Sequence, residues 1–381
     1  MTQREQILSC LNRQDESVPY WLMGFFNRKT AERLMPGLIY PSYYFIPDDG
    51  PYGFAPMDDR ERDAIIAFNR RANKCSIGVG YGANSNFGHG GPGEFNSQVV
   101  DCGENYFKVA YETGAVHYYQ RTPHNYHIVD LPIKSLEDMD KLTLPNPNDP
   151  KRYAGFARDV AYFKATGGFT HGHINGFFSG LHYFLMDYPE VLMGFHLDPA
   201  GQKRLMALLG NWNLAAVRNM LDAGVDCITL CDDLGTGERL LISPTVFREF
   251  IKPWYIKLNQ LVHAYPNRFT HLHSHGNINE IFPDLVEAGF DMINPLDPCD
   301  QMNIEKLKKD FGHRITLVGG MDKFFFDWDQ EKQTDYLQHL VLNARKGGGF
   351  ILMESGGIPD NLSFEQWNAF QKMINEIDCF G

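Results

Sequence analysis

Short apolar, β-branched runs that end in polar residues recur along the second half of the chain: GGFTHGHI (167–174), VDCITL (225–230), FTHLHS (269–274), DMINPL (291–296), RITLVG (314–319) and GFILME (349–354). Longer stretches with apolar residues at helical spacing lie between them. In INEIFPDLVEAG (278–289), Ile278, Ile281, Phe282, Leu285 and Val286 share one face, and Ala288-Gly289 provides the stop. LDAG (221–224) and KGGG (346–349) end two further helical stretches, each with a glycine suited to a left-handed C-cap. This alternation predicts repeated βα units around a parallel sheet, and six runs are most of a (β/α)8 TIM barrel. VPYWLMG (18–24) and CSIGVG (75–80) would complete the eight.

The first third is less regular. GYGANSNFGHGGPG (80–93) is a glycine-rich loop, and whether it closes over a site is left open. The alternating runs YFKVAYET and AVHYYQRT that follow predict a hairpin. The expected organisation is an α/β chain with a single barrel domain over residues 1–381 and an insertion at about 80–125. A two-domain split near residue 150, after LPNPNDP, is the alternative. No low-complexity tract is present, and no internal repeat is evident beyond the βα alternation.

Composition narrows the function classes. The 381 residues are 43% hydrophobic and 22% charged, enough apolar mass for a full core. A formal net charge of -12 with no basic run argues against nucleic acid and against an anionic membrane surface. Arg4 and Glu5 stand where a signal peptide would place apolar residues, and no segment approaches the roughly 18 apolar residues of a spanning helix. The expected location is cytoplasmic. Seven cysteines at irregular spacing, without a CxxC pair, read as reduced thiols. Cys227 and Cys231, four apart on one strand, read as core thiols.

Candidate chemistry gathers at the C-terminal ends of the strands. Alternate side chains of a barrel strand point inward, so His271, His273 and His275 share one face, and Gly276-Asn277 turns the chain just after them. An HxH pair on a strand is a good site for a borderline-soft metal ion; a polar, hydrogen-bonded barrel interior without metal explains the spacing equally well. Asp232, Asp233, Asp297, Asp322 and Glu354 each follow an apolar run and could act as ligand, acid or base. Each could equally cap a helix or bond a loop, and of the adjacent Asp232 and Asp233 only one can face inward. Phe177-Phe178, after Asn175-Gly176, and Phe324 to Phe326 could line an apolar pocket or pack helices on the barrel. GVGYGA (78–83) is an incomplete dinucleotide loop, and Walker, GxSxG and HExxH motifs are absent.

At these residues the chain resembles the uroporphyrinogen decarboxylase superfamily, which holds the decarboxylase and zinc-dependent methyltransferases that act with corrinoid proteins. The likeness runs through REQILSCLNRQDESVPYW, LPIKSLEDMDKLTLPNPND, DDLGTGERLLISPTVFREFIKPW, HSHGNINEIFPDLVEAGFDMINPLDP and FGHRITLVGGMD. It implies a (β/α)8 barrel with its site at the C-terminal mouth. The decarboxylase branch uses an arginine-rich RQAGR-like motif where this chain has FFNRKT, and its catalytic aspartate lacks a counterpart near GVGYGAN. The methyltransferase branch binds zinc through an HxC pair, a carboxylate after the next strand and a late cysteine. His273 matches the first ligand, His275 stands at the first cysteine, Asp297 lies near the carboxylate, and the second cysteine falls near Gly356, where Glu354 is the nearest substitute. The implied zinc set is therefore His273, His275, Asp297 and Glu354, a harder Lewis acid than a thiolate site and suited to an oxygen group such as a methyl ether.

The leading expectation is a metal-dependent methyltransferase that moves a methyl group between a small substrate and a corrinoid carried by a partner protein. Asp232, Asp233 and His271 are its candidate catalytic residues, and Asn175, Phe177 and Asp322 its candidate substrate contacts. A carboxy-lyase is the second reading, with Arg28 or Arg239 holding a carboxylate and Asp232 or Asp233 handling the proton. A catalytically silent binding barrel is the third. The oligomeric state is open, a homodimer included.

Overall fold

The computed structural model describes residues 1–24, 28–41, 57–80, 97–120 and 125–379. All six expected runs in the second half are strands. With β1 (Ser76–Gly78) and β6 (Phe169–Asn175), β7 (Cys227–Cys231), β8 (Phe269–His273), β9 (Met292–Asn294), β10 (Thr316–Gly320) and β11 (Phe350–Met353) form one parallel sheet in the order β1-β6-β7-β8-β9-β10-β11. Four strands come between β1 and β6: β2 (Gln98–Gly103), β3 (Tyr106–Ala110), β4 (Val116–Gln120) and β5 (Asn125–Asp130). They form a separate antiparallel sheet in sequence order, so the expected hairpin is the centre of a four-stranded insertion. The 18–24 run forms only an isolated parallel bridge, Tyr20 to Leu352. Its neighbours still bond both edges of the parallel sheet: Trp21 N donates to Leu352 O at 2.8 Å, Leu352 N to Pro19 O at 2.9 Å, and Cys75 N to Tyr20 O at 2.9 Å. Residues 81–93 of the glycine-rich loop lie outside the described residues.

Period-two alternation separates two cores. Trp21, Cys75, Phe169, Cys227, Met292, Val318, Ile351 and Met353 pack together on the inner face, closed below by Ile7, Cys10 and Leu11 of the first helix. Ile174, Ile228, Leu230, Leu272, Ile293, Leu317 and Leu352 point the other way into the large core shared with the helices. One-residue slips are therefore blocked, since each would exchange the two faces. Polar pins reinforce the register at the strand starts: Thr170 N and Oγ1 both donate to Asp226 (3.1 and 3.0 Å), and Thr270 N and Oγ1 both donate to Asp291 (2.7 and 3.1 Å). Gly289 and Gly224 end their helices at φ +97° and +94°, as the C-cap reading requires.

Candidate functional site

The inner face changes from apolar to polar toward the C-terminal end of the strands. His171 and His173 project from β6, Thr229 and Cys231 from β7, His271 and His273 from β8, and Asn294 from β9, in register across neighbouring strands. Thr229 Oγ1 lies 3.2 Å from His171 Nδ1 and 3.5 Å from His271 Nδ1. Trp21 covers both rings, with centroid separations of 5.0 and 4.8 Å. Burial pushes His171 well below the ordinary histidine range, with His173, Lys74 and His271 adding to the effect. It pushes His271 down to about 3, with His273 and His173 contributing. These interior imidazoles are thus neutral at physiological pH. Lys74 is buried as well, and desolvation lowers its ammonium to about 8.

His171 and His173 were not among the expected site residues, although the sequence carries the signal. FTHGH (169–173) and FTHLH (269–273) are the same strand written twice, each followed later by a Gly-x-Asp that supplies the pinning carboxylate. A short repeat thus underlies the two imidazole-bearing strands.

His273 and His275 meet as expected at the strand end, rings perpendicular and 4.8 Å apart. His275 N donates to Asp233 Oδ1 at 2.9 Å, which ties the loop after β8 to the loop after β7. Gly276, at φ +93°, makes this contact possible, because a Cβ there would lie 2.1 Å from the backbone carbon of Gly235. Asp233 is partly exposed at this rim, whereas Asp232 is fully buried. Asp232 accepts from Ser179 N (2.7 Å), Phe178 N (3.2 Å) and Tyr255 Oη (2.8 Å), so it fastens the helix after β6. Burial raises its carboxyl to about 6 against these three donors. Asn175 is buried at the end of β6, where its carbonyl accepts from Asn213. Phe177 packs on Trp254 and Tyr255 at centroid distances of 5.9 and 6.0 Å, and Phe325 and Phe326 pack on Phe370, the helix-packing alternative for both runs.

The remaining expected ligands are engaged elsewhere. Leu352 faces the helices and Met353 the interior, so Glu354 falls on the outward parity. Its two oxygens accept from Tyr20 Oη (2.8 Å), Met23 N (2.5 Å) and Gly24 N (3.3 Å). Burial raises Glu354 to about 7. Asp297 caps the turn that follows it through Cys299 N at 2.8 Å, and burial lifts its carboxyl, helped by neighbouring Asp300 and Asp322. Asp322 accepts from Phe324 N and from the Cys299 thiol. Among the described residues no three His, Cys, Asp or Glu side chains stand together so as to hold a metal ion. The four residues of the implied zinc set are not gathered in this arrangement: Glu354 is engaged by Tyr20, Met23 and Gly24, and Asp297 Oδ1 by Cys299 N.

Comparison with known proteins gives three findings. The sequence pattern of the family Uroporphyrinogen decarboxylase (URO-D) matches residues 120–377, more than half of the chain. Over 112 residues, the chain is 30% identical to a methylcobamide:CoM methyltransferase MtaA of Methanosarcina barkeri and 29% identical to that of M. barkeri strain Fusaro / DSM 804. In both cases the match covers 29% of this chain and 31% of the relative, so it spans about a third of those proteins. A solved methyltransferase from Methanosarcina mazei superposes with a TM-score of 0.64 at 15% identity, covering 100% of this chain and 99% of that one, a likeness of fold.

Proposed function

Because the chain belongs to the uroporphyrinogen decarboxylase family, we propose that it is a methyl-transfer enzyme acting on a small, uncharged or cationic substrate at the C-terminal mouth of a closed (β/α)8 barrel. In this reading the 19–21 segment, bonded to both sheet edges, is the eighth strand, and residues 1–381 are one domain carrying the antiparallel insertion. A corrinoid on a partner protein would supply or accept the methyl group. The relatives named for methylcobamide transfer support that choice.

The observation that carries the reading is the electrostatic character of the mouth. Neutral imidazoles line its interior, and Asp233, Asp297, Asp300 and Asp322 follow the ends of β7, β9 and β10. Carboxylates gathered at these strand ends, with Lys323 the cation beside Asp297, disfavour a polycarboxylate porphyrinogen and accept a neutral or cationic molecule. We assign substrate contact to His273, His275 and Asp322, and proton handling to Asp233, which combines partial exposure with a place beside His275. Asp232, Asn175 and Phe177 are read as the frame that holds β6 and its helix, and His271 as part of the neutral floor. No step is routed through a metal, so zinc content divides this reading from the metal-dependent form. A zinc ion would have to rely on His273 and His275. Of the described residues, no helix is long and apolar enough to cross a membrane. The seven cysteines carry thiols rather than disulfides, in keeping with a reducing setting.

The test is incubation with methylcobalamin and a panel of thiol, amine and alcohol acceptors, followed by its absorbance, beside CO2 release from uroporphyrinogen. Acceptor-dependent loss of the methylcobalamin band, absent in the Asp233→Asn, His273→Ala variant, is expected. CO2 release without methyl transfer would overturn the reading.

A further inference from the structure

Asn294 ends β9 directly beside His273 and is 1% exposed. Its Nδ2 lies 3.1 Å from His273 Nδ1 and 3.1 Å from Met353 Sδ. A thioether sulfur can only accept, so the amide nitrogen is the atom that belongs next to Met353; a flipped amide would set oxygen against sulfur with no hydrogen between them. Asn294 Oδ1 has no hydrogen-bond partner, and neither has His271 Nε2, so that side sets no competing demand on the amide nitrogen. The Met353 thioether therefore sets the orientation of this side chain.

That orientation fixes a tautomer. Asn294 Nδ2–H donates to His273 Nδ1, which must present its lone pair, so a ring carrying one proton holds it on Nε2. Metal-binding histidines are wired the opposite way: the second nitrogen donates its hydrogen to a carboxylate or carbonyl, and the ligating nitrogen is bare. We propose that Asn294 is a positioning residue that sets His273 as a hydrogen-bond donor through Nε2–H, so that the site selects a substrate with an acceptor oxygen next to its methyl group rather than a metal ion. The substrate part rests on the methyl-transfer reading. The tautomer does not.

The experiment is a two-dimensional spectrum correlating ring nitrogens with ring protons in 15N-histidine-labelled protein at neutral pH, with His273 assigned from the His273→Gln variant. The wild-type ring is expected as the Nε2–H tautomer and unmoved by one equivalent of Zn2+. In Asn294→Asp the carboxylate should draw the proton to Nδ1, invert the pattern, and tighten Zn2+ binding at least tenfold by calorimetry. An Nδ1–H pattern in the wild type, or Zn2+ shifting its His273 signals, overturns the proposal even if the Asp variant fails to fold. For selectivity, a methyl ether should be used at least tenfold more efficiently in kcat/KM than the matching methyl thioether, and Asn294→Asp should erase that ratio. Equal use of both by the wild type refutes the selection. Turnover of neither refutes the methyl-transfer reading, while the spectrum still decides the tautomer.

Discussion

Replacing Asp232 separates frame from chemistry at the one strand end where sequence left two carboxylates in competition. The side chain is fully buried and accepts from two backbone N–H groups and the Tyr255 hydroxyl. In Asp232→Ala all three donors lose their acceptor. At about 1–3 kcal/mol for each buried group left unsatisfied, and allowing some relaxation, the cost is about 3–6 kcal/mol. In Asp232→Asn the amide oxygen can keep Ser179 N, the closest donor at 2.7 Å, and Tyr255 can reverse its hydroxyl to accept. Phe178 N then faces an NH2 group, and that single mismatch costs about 1–3 kcal/mol. Urea unfolding followed by fluorescence measures both. Turnover per folded molecule should stay within about threefold of the wild type in Asp232→Asn. A variant as stable as the wild type yet inactive would show that Asp232 handles protons in the reaction, and the assignment of that role to Asp233 would be wrong.

Glu354 is raised to about 7 from an ordinary 4.5, so the folded state takes up its proton at higher pH than the unfolded state. Ionised Glu354 therefore costs stability above pH 7, a cost relieved between pH 7 and 4.5; relative to Glu354→Gln, the wild type should gain about 3 kcal/mol on acidification from pH 8 to 4, and a pH-independent difference would contradict this. His271, lowered to about 3, works in the other sense: relative to His271→Asn, the wild type should lose about 1.4 kcal/mol per pH unit below about 6, checked by thermal unfolding across that range. Gly276→Ala should cost about 2–4 kcal/mol, because its Cβ would enter the backbone of Gly235 at a positive φ, and it should change KM through the displaced His275; unchanged KM would separate that loop from substrate. Thr170→Val and Thr270→Val should each cost about 1–2 kcal/mol, equal within error if the two strands are equivalent units, as unfolding measurements would show.

Strand existence was legible because burial on both faces of a parallel sheet leaves continuous apolar runs, and each of the six runs read from 167 onward is a strand. The 18–24 run was legible as extended chain but not as a full strand, since only Tyr20 reaches ladder geometry and Glu354 grips the backbone at Met23 and Gly24 instead. That grip also explains why the expected ligand set reads differently in three dimensions. Counting along one strand assigns a face: His271 and His273 alternate inward with Leu272 outward, as expected, and the same count places Met353 inward and Glu354 outward. Resemblance aligned Glu354 with a ligand by proximity to Gly356, whereas strand parity turns it toward Tyr20, Met23 and Gly24. His171 and His173 lie outside the family motif, which falls on β8 alone, while its duplicate FTHGH falls on β6. The alternation that yields the fold is thus also the sharper guide to the site: applied to both FTHxH strands it collects four imidazoles, applied to β11 it turns Glu354 outward, and it brings Asn294, a residue with no charge and no motif, against His273.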